Sequence, residues 1–240
     1  MFNNKITLAV VAARKGSRGL KNKNFLKLNG KSIVRLAVEL SLQCRKINKV
    51  VFTSDSKKIL KLVSNKKNLI KLKRSSSLAK NNTPMLPVLK DAINYFEKKN
   101  NFKLKVSKVI IIDPTSPLRK IDDINKAIEV FKRKKLDLLV SVHRAEHNPY
   151  FSVLEKNGKY YQLLKTKYKN PGSRQAVPNV YEINTIVWIY SRNAILKSEL
   201  RIPKKTSIII TPKERSIDID NRYDFNKIKH YLKFKNHKLN

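Results

Sequence analysis

Two hydrophobic patterns alternate along the chain. Short, nearly continuous apolar blocks read as strands: ITLAVVAA (6–13), KVVFTSD (49–55), LIKL (69–72), KVIIID (108–113), LDLLVSV (136–142) and TSIIITP (206–212). Between them, apolar residues recur at helical spacing, as at Ile124, Ala127, Ile128 and Phe131. That periodicity predicts helices over 31–46, 56–65, 86–99, 122–135 and 224–234. Strands without polar alternation are buried on both faces, so the alternation predicts an α/β fold with a mostly parallel sheet and helices on both faces. Ligands of such sheets bind at the carboxyl ends of the strands.

The pattern breaks after residue 143. FSVLEKNGKYYQLL (151–164) reads as a hairpin turning at Asn157-Gly158, and 170–192 as a loop followed by a strand. This excursion is too short for a domain of its own. The expectation is a single domain over 1–240, with a small dimerisation arm at about 145–185. There is no internal repeat and no separate linker.

Composition narrows the partners. The chain has 240 residues, 41% of them hydrophobic, which is enough for a large core. The net charge of +37 first points to nucleic acid. Lys far outnumbers Arg, however, and Asn and Ile are abundant, as AT-rich codons produce. The basic residues are spread over the whole chain, as in FKRKK and YLKFKNHK. They read as a solvated surface that attracts small polyanions, with no nucleic acid partner. A basic nucleic-acid-binding protein is the competing reading, and it predicts steeply salt-dependent binding. No apolar run reaches the roughly 18–20 residues of a membrane span. The N-terminal stretch also lacks a signal-peptide pattern. With one cysteine, Cys44, there is no intramolecular disulfide, and a cytoplasmic location is expected.

Three stretches carry candidate chemistry. The first is AARKGSRGLKNKN (12–24), after the first strand. Arg14, Lys15, Arg18 and Lys23 are able to neutralise a triphosphate, and Ser17 and Asn24 to donate hydrogen bonds to it. Gly16 and Gly19 are expected to give positive φ and a close backbone approach. Neither the P-loop nor the G-x-G-x-x-G spacing is present. The second stretch is RSIDID (215–220). Asp218 and Asp220 stand at i, i+2, so an extended backbone turns both carboxylates to one face. Such a pair suits Mg²⁺ that also holds substrate phosphates. Capping of a helix beginning near 222 would account for Asp220 but not for Asp218. The third is DPTSPLR (113–119), where two prolines stiffen a turn and Thr115, Ser116 and Arg119 offer polar contacts. It also reads as a plain strand-to-helix turn.

In this order and at about this spacing, the three stretches resemble the acylneuraminate cytidylyltransferases, the CMP-sialic acid synthetases. KLNGKSIV, VVFTSDS and RQAVPNVYEINTIVWIY extend the resemblance over nearly the whole chain. It implies a Rossmann-like nucleotidyltransferase fold and a homodimer. It also implies transfer of CMP from CTP to the anomeric hydroxyl of a 2-keto sugar acid, with release of pyrophosphate. Arg14, Ser17, Lys23 and Asn24 are implied around the phosphates. The backbone of Ala12 and Ala13 is implied near the cytosine, and Arg74 beside the CTP. Asp218 and Asp220 match the Mg²⁺ pair, so that Arg14, Lys23 and Asp218 carry the catalysis. Asp113, Thr115 and Ser116 fall in the sugar half, and Arg174 in the part of the site reached across the dimer.

The departures lie in the acceptor half. Asp113 stands where sialic-acid enzymes commonly have Gln, SLAKNNTPMLPVL (77–89) differs from their Ser-rich version, and Glu182 and Thr185 alter the strand at 181–190. A sugar other than N-acetylneuraminate is expected. Legionaminate-like acids, other bacterial nonulosonates and octulosonate-type acids remain open, as does another nucleotide. His143, His147, His230 and His237 have no metal-binding spacing, and Trp188 is read as strand packing.

Overall fold

The computed structural model describes residues 5–16, 19–168 and 172–234. Ser17 and Arg18 of the basic loop lie outside the described residues. In chain order the elements are β1 (Lys5–Ala12), β2 (Lys27–Leu28), β3 (Lys31–Ser32), α1 (Ile33–Gln43), β4 (Lys49–Ser54), α2 (Lys57–Leu60) and β5 (Leu69–Lys73). They continue with α3 (Met85–Lys99), β6 (Lys105–Ile111), α4 (Ile121–Lys134), β7 (Leu138–Arg144), β8 (Leu154–Asn157) and β9 (Tyr160–Leu163). The last four are β10 (Tyr181–Ser191), α5 (Arg192–Lys197), β11 (Thr206–Ile210) and α6 (Arg222–Phe234).

Seven strands form one sheet in the order β11-β7-β10-β6-β1-β4-β5. Every pairing is parallel except those of β10, which runs antiparallel between β6 and β7. The α/β expectation therefore holds, with this one reversed strand. Alternation along β1 shows how both faces are covered. Ala9 and Val11 pack with Val34, Val38, Ile124 and Phe131 of α1 and α4. Leu8 and Val10 pack with Leu89, Ile93 and Phe96 of α3. The near-continuous apolar strand is the direct consequence of this two-sided burial.

A third cluster seats α6: Leu28, Ile33, Leu36 and Leu118 meet Phe225, Ile228 and Leu232, with Ile219 fully buried among them. Ile219 is the residue between the two aspartates, so this packing fixes their backbone. The helix expected over 56–65 is reduced to the single turn α2. Only Ile59 and Val63 of that stretch are buried, too little apolar face to sustain a longer helix. The hairpin at 151–164 forms as β8–β9, with Asn157 opposite Tyr160 and Gly158 at φ 61°. A second Asn-Gly turn, Asn29 (φ 48°) and Gly30 (φ 77°), joins β2 to β3. Among the described residues, no helix is long and apolar enough to cross a membrane.

Candidate active site

A cleft of about 400 Å³ opens at the carboxyl ends of the central strands. The loop after β1 contributes Ala12, Ala13, Arg14, Lys23 and Asn24; Arg74 follows β5. From the other side come Asp113 and Thr115, after β6, and Asp218 and Asp220, after β11. Cations and carboxylates far apart in sequence thus face one space.

Arg74 is the most telling cation. Its side chain is buried, and its Nε has no hydrogen-bond partner. Burial lowers its pKa, Asp55 and Asp91 oppose that shift, and Arg14 adds to it. A buried guanidinium donor left unpaired beside a cleft is stabilised only when an anion enters. Arg14 donates to Asn81, and the Lys15 amide donates to the Asp55 carboxylate at 2.8 Å. Asn24 is buried and donates its Nδ2 to the Arg14 carbonyl at 2.8 Å, so it shapes the loop as well as lining the cleft.

The two glycines differ from expectation. Gly16 does not have positive φ. A Cβ on Gly16 would meet nothing within 4 Å, whereas one on Gly19 would lie 2.1 Å from the Asp220 carbonyl oxygen. Gly19 is therefore needed for close approach. Gly19→Ala is expected to push the loop off residues 219–220 and to lower kcat on the order of 10²-fold, since catalytic geometry tolerates little displacement. Initial-rate kinetics with a melting curve on the same sample would check this; kcat within about twofold of the parent would refute it.

On the acidic side, Ile219 donates its amide to the Thr115 carbonyl at 2.9 Å. Arg215 grips Asp123 through two contacts of 2.6 and 2.9 Å, tying the segment to α4. Asp218 Oδ1 is buried without a hydrogen-bond partner. Its carboxyl is pushed up to about 6, chiefly by burial, then by Asp113 and Asp220, against the opposing effects of Thr115 and Lys23. Asp220 is exposed and pairs with Lys23 at 3.1 Å; Lys23 also donates to the Ile219 carbonyl at 2.5 Å. Asp220 does not cap α6. Asn221 accepts from the Asp224 amide, and Asp224 accepts from the amides of Asp220 and Asn221.

The orphaned carboxylate oxygen beside other carboxylates fits a hard divalent cation that takes oxygen ligands. Among the described residues, no group of three or more His, Cys, Asp or Glu is arranged to hold a metal ion by itself. A cation that completes its shell with water and substrate phosphate matches that open donor set.

The sugar-half residues separate. Asp113 Oδ1 accepts from the Thr115 amide (3.2 Å) and hydroxyl (2.8 Å), and both residues line the cleft. Ser116 is fully buried, its hydroxyl bonded to that of Thr185, and it does not line the cleft. Arg119 is buried and donates to the carbonyls of Ile186, Thr185 (2.7 Å) and Asp113 (3.0 Å). Arg174 is exposed and lines a separate polar pocket of about 240 Å³ with Arg144, Glu146 and Asn148. A second large pocket, about 410 Å³, adjoins the cleft and shares Thr83, Pro84, Met85 and Asp113 with it. Trp188 lines this pocket, so its role is not strand packing alone.

One positioning residue had not been singled out. Asn184 accepts from Ser141 (2.6 Å), donates to Thr211 (2.9 Å) and Ser216 (3.1 Å), and its carbonyl accepts from the Trp188 indole (2.8 Å). It sits where the β10 register shifts against β7, and it ties that bulge to the segment carrying Asp218. A lone amide in the apolar run INTIVWIY was the available signal.

A basic loop facing an acidic pair, at the carboxyl edge of a mostly parallel sheet, defines a nucleotidyltransferase architecture. The family described as "Cytidylyltransferase" matches residues 8–232, and the chain belongs to it. "Post-translational flagellin modification protein B" of Campylobacter coli is 30% identical over 230 residues, covering 95% of this chain and 96% of that protein. "CMP-N,N'-diacetyllegionaminic acid synthase" of Campylobacter jejuni subsp. jejuni shows the same identity and coverage. Among solved structures, CMP:2-keto-3-deoxy-manno-octonic acid synthetase complexed with CTP superposes with a TM-score of 0.67. It is 14% identical, covers 96% of this chain and 99% of that one, and so speaks to the fold.

Proposed function

We propose that the chain transfers CMP from CTP to the anomeric hydroxyl of a nonulosonic, sialic-acid-like sugar acid. The acceptor oxygen forms a bond to the α-phosphorus, the bond from that phosphorus to the bridging oxygen breaks, and pyrophosphate leaves. One observation carries this reading: a buried guanidinium Nε of Arg74 and a buried carboxylate oxygen of Asp218, both unpartnered, belong to residues lining the same cleft. A nucleotide triphosphate with its cation answers both. The family favours CTP, and the name of the Campylobacter jejuni relative favours a sugar acid.

In this reading Arg14, Lys23 and Arg74 take the triphosphate charge, with Ser17 and Asn24 beside it and the backbone of Ala12 and Ala13 toward the base. Lys23 gives up part of its contact with Asp220 to the phosphates. Mg²⁺ on Asp218 and Asp220 would supply charge neutralisation at the phosphate oxygens. Asp113 and Thr115 face the acceptor. Alignment and charge neutralisation then provide most of the rate, because phosphoryl-type transfer asks little covalent chemistry of the protein. The β8–β9 arm exposes Leu154, Tyr160 and Tyr161, which suits a homodimer in which Arg174 of one copy approaches the site of the other. The enzyme acts in the cytoplasm, where CTP is supplied.

The test is pyrophosphate release with Mg²⁺ and each of the four common ribonucleoside triphosphates, across a panel of nonulosonic and octulosonic acids. Release with CTP and a nonulosonic acid is expected. Arg74→Gln should raise the CTP KM about 10- to 100-fold, the range for loss of a charged hydrogen bond. A preference for another nucleotide, or no CTP binding at all, would overturn the reading.

A further inference from the structure

The basic residues are scattered along the chain, but the fold gathers many of them. In a parallel sheet, every helix that leads into a strand ends at the amino edge, opposite the edge that carries the cleft. Lys5 pairs with Lys105 where β1 and β6 start, and Thr206 with Leu138 where β11 and β7 start, so these segments share that edge. α3 ends in Lys98 and Lys99 and is followed by Lys103 and Lys105. α4 ends in the run KRKK at 132–135, and Lys204 and Lys205 precede β11 beside it. All of these cations are exposed. β6 and β11 stand three strand spacings apart, roughly 14 Å. The acids of this edge are already engaged. Glu97 is buried under Arg192 (2.7 and 3.1 Å), Glu129 pairs with Lys46, and Asp137 accepts from the Ser191 hydroxyl at 3.2 Å. Lys105 lies 4.0 Å from Glu97; the other cations named pair with no carboxylate among the described residues. The negative ends of helices favour cations, which accounts for the last-turn lysines but not for Lys103, Lys204 and Lys205.

A second observation marks the same edge. Between α3 and β6 the chain turns at Asn101 (φ 47°) and Phe102 (φ 56°). Asparagine takes that conformation readily, whereas a phenylalanine in it is strained. The Phe102 amide closes the turn by donating to the Glu97 carbonyl at 2.8 Å. An apolar residue at such a helix end ordinarily packs back on the helix. Phe102 instead is 56% exposed, with the Lys105 ammonium 5.2 Å from the centre of its ring.

We infer that the amino edge is a docking surface for a bilayer of anionic phospholipids, with Phe102 entering the headgroup region and the surrounding lysines meeting the lipid phosphates. An exposed ring among flexible cationic stems matches that boundary, where the stems lie against acyl carbon and the charges stay in water. The cations here are mostly Lys, compact point charges that suit phosphate, whereas base edges are read by the forked donors of Arg. A second copy of the chain would bring the same charge and be repelled. Docked by this edge, the protein keeps the cleft at the opposite edge open to solvent.

Flotation of the full-length protein with lipid vesicles tests this without turnover. Vesicles of phosphatidylglycerol and phosphatidylcholine in equal amounts should carry the protein at about 0.1 M salt, and about 0.5 M salt should release it. Vesicles of phosphatidylcholine alone should not carry it. Phe102→Gly removes the ring and the strain together, so vesicle affinity should fall about 10-fold while the melting temperature holds or rises. Lys98→Gln with Lys99→Gln should weaken binding about 10- to 30-fold. Lys57→Gln with Lys58→Gln makes the same charge change after β4, at the opposite edge, and should alter binding by less than about threefold. No flotation with anionic vesicles, an unchanged affinity in the Phe102 variant, or equal losses from the two lysine pairs overturns the inference. Tighter binding to a DNA duplex than to the vesicles at the same salt also overturns it and makes the edge a nucleic-acid surface. The pyrophosphate assay is independent of all these outcomes, so the proposed transfer stands or falls separately.

Discussion

Asp218→Asn is expected to be far less active than the parent and, without ligands, more stable. The two effects share a cause. In the free protein Asp218 is half-buried, its Oδ1 is buried without a partner, and Asp113 and Asp220 add negative charge. Its value rises from 3.8 to about 6. An acid whose folded value is raised binds protons more tightly in the fold than in the unfolded chain. Stability is therefore lost as pH climbs through the window from about 4 to about 6, and the whole penalty is present above it. At neutral pH it is on the order of 1–3 kcal/mol. Asparagine is neutral at every pH, so the variant should melt a few degrees higher at pH 7.5 in the presence of a chelator. The gain should vanish near pH 4. Turnover should fall at least about 10²-fold, because a group that neutralises charge at the reacting phosphate is lost. Melting curves at pH 4, 5, 6 and 7.5, with kinetics at 7.5, decide it. A variant less stable than the parent at pH 7.5 would mean that Asp218 has a stabilising partner in the free protein. Full activity would remove it from the chemistry.

This strain also marks what the sequence could and could not reveal. Parallel strands buried on both sides announce themselves, because each is an unbroken apolar run; β1, β4, β6 and β7 fall where that pattern predicts. The reversed strand β10 is just as apolar, and nothing in its own residues records that it slots between β6 and β7. That position is decided by pairing across the sheet. The acidic pair was legible from its i, i+2 spacing, but the partial burial of Asp218 and exposure of Asp220 come from Ile219, whose partners lie in α1, in α6 and at Leu118. Likewise Arg14, Lys23 and Asn24 were legible as a basic loop. The division of labour among them required the fold, since Asn24 holds the Arg14 carbonyl and Lys23 reaches 196 positions along the chain to the Ile219 carbonyl. Ser116 and Arg119 shared a motif with Thr115 and drew the same reading. The turn sends Thr115 to the cleft and the other two inward.

That inward turn makes Arg119→Met the substitution with the largest expected effect on stability. The methionine preserves most of the buried stem and removes every donor. Three carbonyls, those of Asp113, Thr185 and Ile186, then lose a guanidinium partner. Arg119 is almost wholly buried, and burial, outweighing the neighbouring acids, brings its value down to about 10, still well above neutral, so it is charged in the working protein. Asp113, Asp123 and Asp218 are the acids that favour that charge, and all three lose a neighbouring cation. Removing one member of a buried, hydrogen-bonded charged set costs about 3–5 kcal/mol, a large part of the ~5–15 kcal/mol that holds a typical protein folded. Arg119→Lys should recover only a minority of the loss, because one ammonium does not reproduce the planar fork that spans carbonyls on two elements. Urea unfolding of the parent and both variants gives the comparison: the midpoints should fall in the order parent, Lys, Met at an unchanged slope. A Met variant within about 1 kcal/mol of the parent would show that water enters and satisfies the three carbonyls. The junction between the β6 loop and the β10 bulge would then be held by packing alone. With Arg119 as the joint, by contrast, the Met variant should lose turnover even under conditions where it stays folded. Asp113, where the cleft meets the adjoining pocket, and Thr115, which lines the cleft and bonds to the Asp113 carboxylate, hang on the carbonyl that Arg119 holds.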